Sequence, residues 1–154
     1  MQIQVIEKKE IKVVGISWNG TYSQTNEIPP LFNVFEERIG EINFRKDDSA
    51  FVTPFHSRET EFTYYVTMPV EKLEDIPKGM VGFTIPHKNY VFATHKGKAE
   101  DVEDTYKQML LWMKEYGYEQ DHHALGIEVH KRDNSNHDGN LHFDIYLPIK
   151  TYQD

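Results

Sequence analysis

One order of elements is written twice along this 154-residue chain, and that repetition constrains the fold more than any single motif does. Near the start, Ile3 and Val5, then Ile11 and Val13, alternate with Gln and Lys, the two-residue period of a strand or short hairpin. Pro29 and Pro30 suit the opening turn of a helix, and Leu31, Phe35, Ile39 and Ile42 continue at helical spacing, with Gly40 near its end. Two strand-like runs follow at 51–56 and 62–69. The second half repeats the series with a strand at 90–95 and a longer helix from about Asp101 to Tyr116. Val102, Tyr106, Met109, Leu110 and Met113 form that helix's apolar stripe, acidic residues crowd its first turn, and Gly117 suits its stop. Strand-like runs at 125–130 and 141–148 complete the series. Laid over one another, 51–56 and 125–130 both close on His, and 62–69 and 141–148 both close on Pro.

This order predicts an α+β fold: a tandem duplication of a βαββ unit, forming a curved antiparallel sheet with two main helices. One domain covers 1–154, with pseudo-repeats at about 1–70 and 88–150. The segment 71–88, which carries Asp75-Ile76-Pro77-Lys78-Gly79, reads as a surface connection built on turn chemistry. The polar run 133–140 reads as a hairpin loop. Its Asn134, Asn136, Asp138 and Gly139 echo a calcium loop, but the first ligand is not Asp and Ile145 stands at the twelfth position, so that reading fails.

Acidic residues outnumber basic ones by 25 to 17, giving a formal charge of −8. That balance argues against direct nucleic-acid binding, which draws its affinity from Lys and Arg on phosphates, and favours cations over anions. The absence of cysteine excludes disulfides, thiol catalysis and Cys-based zinc sites. The N-terminus has no signal-peptide apolar core, and no apolar run approaches the ~20 residues that span a bilayer. A cytoplasmic protein without cofactor or membrane segment is expected. Nine Phe, nine Tyr and two Trp are enough rings to line a pocket as well as fill a core.

Strand alternation divides the last two strands into faces. Leu125, Ile127 and Val129 are grouped with Phe143, Ile145 and Leu147; Gly126, Glu128 and His130 with His142, Asp144 and Tyr146. On this reading Glu128 lies among aromatic and small residues, with Tyr65 and Thr67 on the matching face of the first half, and Gly126 leaves room beside it. Five of the eight histidines fall between 122 and 142, and His130, His142 and Asp144 are metal-ligand types. The favoured reading of these is loop and solvent-face histidines, with no metal site.

The two-fold plan resembles the GyrI-like family, the effector-binding domains attached to BmrR-type and AraC-type bacterial regulators. The resemblance runs from Ile3 to Ile149 and is carried by Val14-Gly15-Ile16, Thr94-His95-Lys96-Gly97, the helix bearing Trp112, Leu125-Gly126-Ile127-Glu128-Val129 and Tyr146-Leu147-Pro148-Ile149. It implies a ligand cleft between the halves, lined by aromatics, in which a buried acid recognises lipophilic cations. By position that acid is Glu128; Tyr65, Tyr146 and Trp112 become wall residues, with Trp18 added on residue type. Where the family carries a tyrosine-like residue two positions after its acid, this chain has His130.

No helix-turn-helix segment is present and no length is spare for one, so a freestanding binding or sequestering domain for a small hydrophobic or cationic ligand is expected. Two other roles follow from the resemblance: a protein-partner inhibitor such as a DNA gyrase modulator, and a hydrolase of electrophilic small molecules. In the latter, Glu128 would activate water while Tyr65 or Tyr146 donates a proton. The chain lacks G-x-S-x-G and H-E-x-x-H signatures, and no catalytic residue is assigned. A homodimer is compatible with the sequence.

Overall fold

The computed structural model describes residues 1–132 and 140–150. The candidate calcium-like residues Asn134, Asn136, Asp138 and Gly139 lie outside the described residues. Among the described residues, eight strands form one antiparallel sheet: β1 (Gln4–Lys8), β2 (Ile11–Thr21), β3 (Ala50–Ser57), β4 (Glu61–Val70), β5 (Val81–Ile85), β6 (Lys88–Lys98), β7 (Gly126–Lys131) and β8 (Asn140–Pro148). Two α-helices, α1 (Ile28–Arg38) and α2 (Val102–Glu115), sit between the second and third strands of each half. Pro29 and Pro30 open α1, where missing N–H groups cost nothing. Glu103 and Asp104 complement the N-terminal dipole of α2, and Gly117, at φ +78°, allows the chain to turn away after its end.

The sheet order β1-β6-β8-β7-β3-β4-β2-β5 reads equivalently from either end, with β7 and β3 at its centre. Each half therefore has five strands and helices, one more than the predicted four. The N-terminal strand of one half pairs with the other half: β1 with β6, and β5 with β2. The segment 71–88, expected to be a plain connection, thus contains a strand. Its Val81-Gly82-Phe83-Thr84-Ile85 earns a place at the sheet edge because Ile85 is buried opposite Ile11.

Short connections force curvature. Lys9 and Glu10 alone link β1, first in the sheet, to β2, seventh; Pro86 and His87 alone link β5, eighth, to β6, second. Six strand spacings in a flat sheet would span about 29 Å, whereas three Cα steps reach at most ~11 Å. The sheet consequently curls, and Val13, Val52, Ile85, Tyr90 and Ile127, drawn from strands far apart in its order, form one buried cluster on the helix-free face.

On the opposite face, α1 and α2 each cover a core. Phe35 packs with Phe51, Val66 and Met68 in the first; Met109 and Met113 pack with Val91, Ala93, Ile145 and Leu147 in the second. Burying each of these large side chains contributes about 1.5–3 kcal/mol. Leu110, expected on the inward stripe of α2, is exposed together with Leu111; Val102, Tyr106, Met109 and Met113 form the inward stripe. Buried His95 ties α2 to β6: its Nδ1 meets the Thr105 hydroxyl at 2.7 Å and its Nε2 meets the Lys98 carbonyl at 3.1 Å.

Candidate ligand-binding site

Cross-strand register fixes the surroundings of Glu128. It lies opposite Thr53 of β3 and Ile145 of β8, and Ile145 lies opposite Ala93 of β6. Residues directly opposite one another share a face, so Glu128 occupies a rung whose other members are fully buried and uncharged. Its side chain is only 13 % exposed.

The carboxylate is not left bare. The Tyr64 hydroxyl of β4 donates to Oε1 at 3.2 Å, and the Tyr106 hydroxyl of α2 donates to Oε2. His130, two residues further along β7, places Nε2 2.9 Å from Oε1. Thr53 secures the strand beneath by donating its hydroxyl to the Glu128 carbonyl at 3.0 Å. Burial first, and the adjacent Glu128 charge second, push the Tyr64 and Tyr106 hydroxyls well above the ordinary tyrosine range, so both remain donors.

Aromatic rings enclose this polar centre. His130 stacks on Phe143 at 4.5 Å and 15°, and Phe32 of α1 approaches it at 5.2 Å. Phe32 also packs against Tyr64 and Phe51, and Phe55 against Tyr106. Phe55 fits because Gly126 lies under its ring: a Cβ there would come within 2.5 Å of it. A separate depression of about 750 Å³, lined in part by Asp48, Val129, Arg132, His142 and Asp144, has neither Glu128 nor His130 in its lining.

The expected grouping of faces is corrected by this register. Gly126, Glu128 and His130 face the same way as Phe143, Ile145 and Leu147, whereas His142, Asp144 and Tyr146 face the helix-free side with Ile127 and Val129. A one-residue change in assumed pairing exchanges the two faces, and alternation alone does not set the pairing. Of the five residues singled out in the sequence, Glu128 alone occupies this centre. Tyr65 packs edge-on against Phe83, and Tyr146 against Tyr90 and Phe92, both on the other face. Trp112 stacks on Tyr118 and meets Tyr116 at a tilt near the end of α2, and Trp18 rests against Phe62 with its Nε1 donating to Glu27. The metal-type set His130, His142 and Asp144 is divided between the faces.

Sequence reasoning missed Tyr64, Tyr106 and Phe32. Tyr106 carried a usable signal: a hydroxyl on an otherwise apolar helical stripe needs a buried partner.

Residues 1–150 match the family model of the GyrI-like small molecule binding domain. The transcriptional regulator BrlR of Pseudomonas aeruginosa is 26% identical over 154 residues, covering 97% of this chain and 56% of BrlR. The chain thus spans about half the length of that relative. Among solved structures, SAV2435 bound to tetraphenylphosphonium superposes with a TM-score of 0.75 at 14% identity, covering 97% of this chain and 94% of that one. The C-terminal domain of EcmrR superposes with a TM-score of 0.74 at 16% identity, covering 97% and 98%. Among the described residues, no helix is long and apolar enough to cross a membrane. Matched by the family model over nearly its whole length, this chain belongs to the GyrI-like small-molecule-binding domains.

Proposed function

We propose that the chain binds a lipophilic organic cation at Glu128, as an effector-binding or sequestering domain. The observation that carries this reading is a carboxylate 13 % exposed on an uncharged rung, ringed by Phe32, Tyr64, Tyr106 and the His130–Phe143 stack. A carboxylate held away from water gains from a cation that returns the lost charge compensation. Ring faces add about 0.5–2 kcal/mol each through cation–π attraction, and micromolar affinity requires about 8 kcal/mol. Few hydrogen bonds to the guest are needed, so selection rests on charge and shape.

The hydroxyls of Tyr64 and Tyr106 and the imidazole of His130 already converge on both oxygens of Glu128. This disfavours Glu128 as the base of a hydrolase, because an attacking water would have to displace a donor. SAV2435, a likeness in fold, supplies a suitable probe: tetraphenylphosphonium carries its charge inside four phenyl groups. Calorimetric titration of the full chain with this cation is expected to show saturable one-to-one binding, and a neutral tetra-aryl analogue to bind far more weakly. Equal binding of the two compounds, or none of either, contradicts the proposal.

A further inference from the structure

We propose that His130 is the specificity-determining residue of the Glu128 site: an internal cation that holds the carboxylate when protonated and yields it to a guest when neutral. This inference rests on the ligand-binding reading above. A guest cation seeks an anion and aromatic faces, and His130 already has both. Its Nε2 is 2.9 Å from Glu128 Oε1, its ring lies nearly parallel to Phe143, and Phe32 closes over it from α1. Protonated, the imidazole neutralises Glu128 and removes the charge that would attract a second cation. Neutral, it still donates a hydrogen bond but leaves the negative charge in place.

The groups around the imidazole leave Glu128 as its charged partner. From β7 itself comes Glu128 and, just past its end, Arg132, whose guanidinium is committed to Glu36 of α1 at 2.6 and 3.1 Å and to the Asp48 carbonyl at 2.7 Å. Tyr64 from β4 and Tyr106 from α2 face it across the carboxylate as neutral phenols. Phe32 from α1, Phe51 opposite it on β3 and Phe143 from β8 present only rings. Beyond Phe143 lies His95 of β6, engaged by Thr105 and the Lys98 carbonyl.

Two ligand classes are separated by this arrangement. With His130 neutral, the site takes a monocation that lacks hydrogen-bond donors; with His130 protonated, Glu128 and His130 form a neutral pair suited to uncharged aromatic guests. Binding of a permanent cation is therefore coupled to loss of a proton from His130. The sign follows: the cation favours the deprotonated imidazole, so affinity rises with pH.

The test uses tetraphenylphosphonium, which does not itself titrate, with the full chain and His130→Gln, by calorimetry between about pH 5.5 and 8.5 in buffers of differing ionisation enthalpy. Toward the acid end of this range, affinity of the unmodified protein is expected to fall by up to about tenfold per pH unit, with up to one proton released per cation bound. His130→Gln is expected to bind with a flat profile and without proton release, and more tightly than the unmodified protein at the acid end. Binding whose pH profile is flat, or equally steep in His130→Gln, overturns the inference and leaves the ligand-binding reading standing. Absence of binding at every pH in both proteins overturns that reading, and the inference with it.

Discussion

The Tyr106 hydroxyl of α2 donates a hydrogen bond to Glu128 Oε2, tying the helix of the second half to the sheet's central strand pair. Because a neutral phenol meets a carboxylate where water has little access, this bond is stronger than an ordinary neutral pair. Tyr106→Phe is expected to lower unfolding stability by about 1.5–3 kcal/mol, the range for hydrogen bonds to charged groups. Tyr64→Phe, which removes the longer bond at 3.2 Å, is expected to cost less. Urea denaturation of both variants and the double variant checks this; no loss in Tyr106→Phe would contradict the bond's role.

The phenols also set an alkaline limit. Burial raises Tyr64 and Tyr106 well above the usual value, raises Tyr146, and pushes Tyr90 up to about 12. A group whose folded value is raised contributes stability that is complete below its unfolded value, near ~10 for tyrosine. That stability is lost as pH rises through the folded value. Unfolding free energy should therefore hold steady into mildly alkaline solution and decline between about pH 10 and 12. In an ultraviolet titration Tyr64 and Tyr106, of the nine tyrosines, should ionise only with unfolding. A single reversible step for all nine would refute the enclosure described for the site.

Two glycines are held by close approach. At Gly126 a Cβ would meet the Phe55 ring at 2.5 Å; at Gly15 it would meet the Val66 carbonyl oxygen at 2.0 Å. The ring can shift, whereas the backbone of a paired strand cannot. Gly126→Ala is expected to cost about 1–3 kcal/mol, as overpacking does. Adding Phe55→Leu should restore part of that loss. Gly15→Ala should be the more damaging single change, with no side-chain substitution at Val66 to relieve it. Thermal unfolding of the three variants reads the order directly.

Much of this architecture was legible because periodicity and order are local properties. Six of the eight strands and both helices announce themselves through alternation, prolines or the 3.6-residue stripe. The exchange of β1 and β5 between halves was not legible, since nothing in a strand names its partner. The same gap explains the site. Glu128 was recognisable as an acid beside Gly126 in an apolar strand, but Tyr65 was chosen where its neighbour Tyr64 is the partner. Adjacent tyrosines point to opposite faces, and only the observed register between β4, β3 and β7 decides which one meets the carboxylate.

Substituting Glu128 with Gln tests the central claim most directly, because the side chain keeps its shape and loses its charge. Tetraphenylphosphonium and a neutral aromatic of matched shape would be titrated into both proteins near neutral pH, with far-ultraviolet circular dichroism confirming the fold. The account predicts that Glu128→Gln weakens the cation at least tenfold, ~1.4 kcal/mol, while the neutral compound changes little. Equal losses for the two compounds, or no loss for the cation, would contradict it.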